Sequence, residues 1–548
     1  MDVRELAATI HGYDSIGALL KARAAEHPER VFLKWADVSV SYGRMFDDAT
    51  HVAGLLSRLG IAKGDRVAIM MATSPKWLKV WFGAALLGAV IVPINSAQLG
   101  DSLEYQLSDS EAGMLFIDAE FAPRLNTIAA SLTMKHVFVN GLVPEGLQVH
   151  AEALDTLLGG SAAQPPSVAV SLADPATILY TSGTTGPPKG CVLPHGQYLS
   201  AAFLHAENCG YSADTVIYTC LPLFHINAQN YTVLSAAAAG AAIAMDQKFS
   251  ASRFWKRLID TGATAFNFIG SMAVSLWNQP STPEEKQHNA TLAFGVPVPL
   301  DIWGEWEKRF GTKVVYAYGM TENALAAMFH HDDTPVPADL RGAAGKPSLT
   351  TDIQVVDDRD NPVPPGTVGE ILSRPTIPWT MMTEYWRKPD TTVEAFRGCW
   401  FHTGDLGYLD HDGYLFYVDR KKDALRRKGE MVSSWEVETA VAKFPAVAEC
   451  AVVAVPSEMG EDEIMAIVVP RDGVALDPAD LISFCADRMP KFQIPRYIRT
   501  VSALPRTQTQ RIEKYRLRNE GVTRDTWDAA AAPQSAVSGR AGSNVESR

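Results

Sequence analysis

Residues 176–195 read ATILYTSGTTGPPKGCVLPH, and this stretch decides how the rest of the chain is read. ATILY is a short apolar run with the length of a buried strand. The following ten residues are dense in Gly, Ser and Thr, and GQYLSAAFLHA (196–206) has helical composition. Strand, Gly-rich loop and helix together make a geometry that holds phosphate: backbone amides approach closely and the helix N-terminus favours an anion. Thr181, Ser182, Thr184 and Thr185 add hydroxyl donors around Gly183 and Gly186, and Lys189 adds a point charge. The string fits neither common phosphate motif. Lys189 is followed by Gly190, and only two residues separate Gly183 from Gly186, so GxxxxGK[ST] and GxGxxG both fail.

Working outward, short β-branched runs alternate with longer amphipathic stretches. RVAIMMA (66–72) reads as a strand, SPKWLKVWFGAALLG (74–88) as a helix and AVIVPIN (89–95) as a second buried strand. The same alternation continues through KVVYAYG (313–319) and predicts an α/β fold with largely parallel sheets. From residue 353 the texture shifts to short antiparallel strands and hairpins, with a turn at Asp412-Gly413. DRKKDALRRKGE (419–430), dense in Lys and Arg, then leads into a compact α+β pattern.

The chain has 548 residues and a formal net charge of −13, which argues against a nucleic-acid partner that would require a basic face. It is long enough to split into more than one domain. Six scattered cysteines form neither a disulfide framework nor a CxxC metal site. The most apolar runs, 82–92 and 236–245, fall short of the roughly 20 residues that span a bilayer. No signal-like segment opens the chain, so a cytoplasmic protein without a membrane partner is expected.

YTSGTTGPPKG (180–190) resembles the signature loop of the adenylate-forming (ANL) superfamily, which includes acyl-CoA synthetases, adenylation domains and luciferases. The resemblance runs from about residue 15 to about residue 520. Further matches follow in family order: LPLFHINAQ (221–229), GVPVP (295–299), YAYGMTE (316–322), HTGD (402–405), DRKKD (419–423) and LPRTQTQRIEK (504–514). The wording is most similar to the crotonobetaine/carnitine-CoA ligase branch.

The resemblance implies a large N-terminal domain, residues 1–420, of layered sheets and helices plus a distorted β-barrel subdomain. A hinge at 421–423, centred on Lys422, would lead to a small mobile α+β domain at 424–522, with 523–548 expected to be a disordered tail. It implies ATP, Mg²⁺ and CoA as ligands, a carboxylic acid as substrate, and a homodimer as a common arrangement among relatives. Thr181, Ser182, Gly183, Thr184, Thr185, Gly186 and Lys189 would hold the β- and γ-phosphates. Thr321 would contact the α-phosphate and Glu322 the metal. Tyr318 would stack on adenine beside the Gly295-Val296-Pro297 backbone. Asp405 and Arg420 would bind ribose hydroxyls, with Tyr417 also on the nucleotide. His225 matches the gate between the acyl pocket and the thiol tunnel. Asn227, Gln229, Phe268, Ile269, Gly270 and Met320 would form a pocket whose mixture of amide and apolar groups does not favour a long fatty acid. The 426–430 loop, centred on Gly429, would approach pantetheine, with Arg426, Arg427 and Lys428 available to CoA phosphates.

One departure is chemical. The family's C-terminal catalytic Lys aligns with Arg511, which keeps the charge on a bulkier, forked group. Lys514 would replace it only if the loop changed register. Three readings therefore stay open from sequence: an acyl-CoA synthetase, an adenylating enzyme serving a carrier protein or an amine, and a weakened nucleotide-binding protein.

Overall fold

Ser74 and Pro75 begin one central helix of the protein as its sequence dictates. The Ser74 hydroxyl accepts the Trp77 amide, Pro75 occupies the first turn where no amide is needed, and the helix runs Pro75–Leu87. Trp77 and Trp81 on this helix are fully buried. The computed structural model describes residues 1–161, 164–181, 188–296, 302–420, 425–427, 430–432, 434–457, 462–505, 512 and 514–531.

The first compact unit comprises Met1–Ser96, Tyr105–Thr181 and Lys189–Lys421. Its eight-stranded sheet runs, edge to edge, Glu384–Tyr385, Lys189–Pro194, Pro175–Thr181, Val90–Pro93, Arg66–Met70, Met114–Asp118, His136–Asn140 and Glu152–Ala153. Pairing is parallel except for the two junctions made by Lys189–Pro194. A seven-stranded sheet follows the order Lys313–Val315, Leu292–Val296, Ala265–Ile269, Val216–Thr219, Ala242–Met245, Val31–Trp35 and Val38–Ser41. Only its last pair is antiparallel. A third sheet (Thr351–Val356, Gly369–Pro375, Phe401–Leu409, Leu415–Arg420) is wholly antiparallel, as the hairpin-rich sequence predicts.

Helix His195–Asn208 is buried from His195 to Ala206 and links the two large sheets. The Tyr198 ring meets Trp81 edge-on at 6.1 Å, on the helix after strand Arg66–Met70. Its hydroxyl donates to Gln229, after strand Val216–Thr219, at 2.6 Å.

The second unit consists chiefly of the chain from Lys422 onward, with Ala97–Glu104 grouped to it. Its sheet orders Val447–Pro456, Asp462–Pro470, Tyr497–Thr500 and Trp527–Asp528, with helices Ser434–Ala442, Pro478–Ala486 and Lys514–Glu520. The expectation of a tail from residue 523 is corrected here. Trp527 pairs with Ile498 in the sheet and packs on the unit's core, and Arg496 grips both oxygens of Asp528 at 3.0 Å. The local composition looks tail-like, but a bidentate ion pair and a half-buried indole hold it down. Residues 532–548 lie outside the described residues.

All six cysteines are free thiols. Among the described residues, no helix is long and apolar enough to cross a membrane.

Burial lowers the pKa of His195 to about 4 and that of His205 to about 3. Both rings are neutral acceptors or donors in the core: His195 Nδ1 takes the Ile16 amide at 3.2 Å, and His205 Nδ1 lies 3.0 Å from Ser235 Oγ. The unfolded imidazoles protonate near 6.5, so below that pH the unfolded chain binds more protons and stability falls. Between pH 6.5 and 5 each histidine costs about 2 kcal/mol. Urea unfolding followed at pH 7, 6 and 5 checks this, and His205→Gln should lower the pH slope by about one proton.

Candidate active site

The segment expected to hold phosphate is a hairpin. Strands Pro175–Thr181 and Lys189–Pro194 pair antiparallel with Thr181 opposite Lys189, and Thr181 Oγ1 donates to the Lys189 carbonyl at 3.4 Å. Ser182, Gly183, Thr184, Thr185 and Gly186 lie outside the described residues. The strand–loop–helix expectation is thus corrected. A strand intervenes, and helix His195–Asn208 starts after Pro194 with its first residues fully buried. Pro187 and Pro188 disfavour a helix directly after the loop, because the residue before a proline avoids α geometry. The N-terminus of helix His195–Asn208 is therefore separated from the loop by strand Lys189–Pro194.

Beyond strand Ala317–Tyr318 the chain makes a tight loop before strand Ala327–Met328. The Met320 amide donates to the Asn323 carbonyl and the Ala326 amide to that of Tyr318, both at 2.9 Å. Gly319 is obligatory: a Cβ there would sit 2.3 Å from the Ala324 carbonyl oxygen. This loop carries Thr321 and Glu322, both half-buried. The fully buried Gln197 donates from Nε2 to the Thr321 carbonyl at 2.8 Å. Glu322 Oε1 accepts the Tyr385 hydroxyl at 2.9 Å, and Lys189 Nζ sits 4.3 Å from the centre of the same Tyr385 ring. The structure therefore brings Lys189 and Glu322 onto one tyrosine that sequence reasoning missed, with Thr321 beside Glu322 in the same loop.

The third sheet brings a second group against Tyr318. Its hydroxyl donates to Asp405 Oδ2 at 2.8 Å, and its ring stacks with that of Tyr417 at 6.2 Å and 29°. Asp405 is 3% exposed; its amide donates to Thr403 Oγ1 at 3.0 Å, and the neighbouring Gly404 amide donates to buried Glu370 at 3.2 Å. Asp405 stands opposite Arg420 in the strand pairing. The side chains of Arg420 and Val296, together with Pro297, Lys422, Lys428, Gly429 and Arg511, lie outside the described residues.

The expected acyl pocket is only partly supported. Gln229 is fully buried with its amide committed, Oε1 to Tyr198 and Nε2 to the Leu223 carbonyl at 2.6 Å, so it braces the core instead of offering a group to a ligand. It sits in a wide-turned π-helical stretch, Asn227–Leu234, a form of helix that often marks functional sites. Phe268 is also fully buried, against Trp306 at 5.5 Å, and pairs with Gly295 across the strands. Gly270, buried, opens helix Gly270–Trp277. His225, Asn227, Ile269 and Met320 are half-buried; His225 packs edge-on to Phe224 at 4.6 Å, and Asn227 Oδ1 accepts from Asn267 at 3.4 Å.

Two expectations in the second unit also change. Arg427 is 9% exposed, bound to Glu463 at 2.7 Å and to the Ile494 carbonyl, so it is structural and not a free cation for CoA. Lys514 is held by Glu438 at 2.6 Å and Ser434 at 2.8 Å.

Glu322 fits a hard divalent cation: one carboxylate oxygen accepts the Tyr385 phenol and the Cys191 thiol lies beside the group, which still leaves lone pairs on an anionic oxygen ligand. Tyr318, Tyr417 and Asp405 form a ring face with a carboxylate beside it, a pattern suited to a nucleoside. Residues 20–386 match the family model described as AMP-binding enzyme, and 436–511 match the AMP-binding enzyme C-terminal domain. The chain belongs to the AMP-binding enzyme family. Membership makes it an AMP-forming ligase of the adenylate-forming superfamily. Over 484 residues it is 32% identical to a crotonobetaine/carnitine–CoA ligase of Salmonella typhi, covering 87% of this chain and 93% of that one. Among solved structures it is similar to the o-succinylbenzoate CoA synthetase of Bacillus subtilis, with TM-score 0.80 and 26% identity over 91% of this chain and 98% of that one. It is also similar to a Mycobacterium tuberculosis fatty acyl CoA synthetase, with TM-score 0.68 and 28% identity over 92% and 98%.

Because Gly319 has no room for a side chain, Gly319→Ala must shift the loop that carries Thr321 and Glu322. Pyrophosphate release by this variant should drop about 100-fold, the scale of an ångström-sized misplacement, with the urea midpoint nearly unchanged.

Proposed function

We propose that the protein condenses a small or medium carboxylic acid with ATP to an acyl-adenylate and pyrophosphate, then transfers the acyl group to CoA and releases AMP. The observation that supports this reading most directly is the pairing of Tyr318 with Asp405 beside the Lys189–Tyr385–Glu322 group, all within one unit. A nucleoside subsite thus adjoins a cation and a metal-type carboxylate, which is what attack at the α-phosphorus requires.

In the first half-reaction a substrate carboxylate oxygen attacks the α-phosphorus and the bridging oxygen leaves with pyrophosphate. Two anions must be brought together, so charge neutralisation and alignment dominate the barrier. Tyr318 stacks on adenine alongside Gly295, while Asp405, with Arg420 and Tyr417, accepts from the ribose hydroxyls. Lys189 and the 181–186 loop neutralise the β- and γ-phosphates, and Thr321 donates to the α-phosphate. Glu322 would hold Mg²⁺, which would offset phosphate charge. Arg511 supplies the further cation where relatives have Lys. In the second half-reaction the CoA sulfur attacks the acyl carbonyl carbon and AMP leaves, with His225 gating the acyl group and Gly429 beside pantetheine. The half-buried amide of Asn227, together with half-buried Ile269 and Met320, favours a compact, partly polar acid.

Pyrophosphate release across a panel of carboxylic acids from acetate to palmitate, with and without CoA, tests the reading. Acid-dependent release that yields acyl-CoA by mass is expected. Release without acyl-CoA would point to another acceptor, and none from any acid would reject the proposal. Arg511→Ala should cut release by about 10²- to 10³-fold and Arg511→Lys should restore it.

A further inference from the structure

Tyr385 has been given no role in the chemistry so far, yet its side chain touches two residues that have one. The short strand Glu384–Tyr385 pairs with Lys189–Pro194, Tyr385 standing opposite Cys191. Flanking amides extend the seam: Trp386 donates to the Gly190 carbonyl at 2.7 Å and Thr383 to that of Val192 at 3.0 Å. The Met382 amide donates to the Glu322 carbonyl at 2.9 Å. Residues 382–386 are therefore stitched both to the strand that begins with Lys189 and to the loop that carries Glu322.

The side chain sits between these two attachments. Tyr385 is 3% exposed, and its own amide is held by Thr392 Oγ1 at 3.0 Å. Its hydroxyl donates to Glu322 Oε1 at 2.9 Å, and its ring face lies under the Lys189 ammonium at 4.3 Å. One phenol thus satisfies a carboxylate through its edge and a cation through its face. Lys189 and Glu322 make no ion pair with each other. Opposite charges that share one neighbour in a half-buried site attract, and a direct pair would neutralise both groups before any ligand arrives. It would also have to be broken to let phosphate and metal bind.

We propose that Tyr385 is a positioning residue that keeps Lys189 and Glu322 apart and separately aimed, the ammonium toward phosphate and the carboxylate toward the divalent cation. The inference rests on the roles given to those two residues above. It accounts for a nearly buried tyrosine whose two polar features are used on two different charged partners. It also separates two effects that a merely structural tyrosine would not separate: the hydroxyl acts on the metal carboxylate, and the ring acts on the phosphate lysine.

The test uses the full chain and binding of α,β-methylene-ATP by calorimetry, with Mg²⁺ varied, alongside steady-state pyrophosphate release. Tyr385→Phe keeps the ring and loses the hydroxyl. It should raise the half-saturating Mg²⁺ concentration about tenfold, with analogue affinity at saturating Mg²⁺ close to wild type. Tyr385→Leu loses both features and should in addition weaken the analogue about tenfold at saturating Mg²⁺. If Tyr385→Leu fails to fold, the near-isosteric Phe variant still decides the matter. A Phe variant whose Mg²⁺ titration superimposes on that of wild type overturns the inference and leaves the proposed function standing. Loss of analogue affinity in the Phe variant at every Mg²⁺ concentration, with a lowered urea midpoint, overturns it too and makes Tyr385 structural. A wild-type protein that binds no analogue at any Mg²⁺ concentration overturns the proposed function itself.

Discussion

The hydrogen bond from Gln197 to the Thr321 carbonyl is the constraint on which the arrangement turns. Gln197 lies on a helix buried along nearly its whole length, where an unpaired amide costs a few kcal/mol. That penalty ties the 319–326 loop to the core, so the loop that carries Thr321 and Glu322 moves only with the helix. The next residue on the helix, Tyr198, fixes Gln229 in the same way. Two consecutive polar residues on one apolar helix thus set both the nucleotide-side loop and the π-helical stretch that starts beside His225. Rigid support of this kind allows a site made of loops to hold its geometry.

Electrostatics set the second requirement. A site that handles two anionic reactants needs cations, yet it must also present an anionic oxygen to a metal. The protein satisfies both by interposing groups that interact with charge without carrying it. Tyr385 separates Lys189 from Glu322, and Tyr318 donates to the buried Asp405. Thr403 and Glu370 fix the backbone on either side of that carboxylate, through the Asp405 and Gly404 amides respectively. Neutral donors stabilise carboxylates without cancelling their charge, so the charge remains for the ligand.

The parallel α/β layers, the antiparallel third sheet and the family were legible in the sequence, because periodicity and ordered motifs report on them directly. The gathering of Lys189, Thr321 and Glu322 was legible only through the family resemblance, since they are separated by more than 130 residues. What stayed hidden depended on pairing between distant strands. Tyr385 lies in a short edge strand, and nothing in TEYWRKPD marks it as a partner of Lys189. Gln197 had a faint signal, an amide in an otherwise apolar helix, which is costly unless paired. The strand after the phosphate loop, Lys189–Pro194, went unassigned because a short apolar run such as CVLP carries no periodicity that marks it as a strand. The ordered 523–531 segment was missed for the complementary reason: Asp528 and Trp527 draw their stability from Arg496 and a core that composition does not reveal.

The same logic bears on Arg511. Lys514 was the one neighbouring residue able to replace the family's catalytic lysine, and the structure removes it from contention. Its ammonium is shared between Glu438 and Ser434, and Glu438 in turn accepts the Val452 amide at 2.7 Å. Withdrawing Lys514 would leave a half-buried carboxylate without its cation and break into the packing of helix Ser434–Ala442 on strand Val447–Pro456. A buried ion pair is costly to break from one side, because the partner left behind is uncompensated. The lysine that opens helix Lys514–Glu520 is therefore structural. In the proposed adenylation step the C-terminal cation would then be the guanidinium of Arg511, whose fork spans two oxygens where an ammonium offers a point.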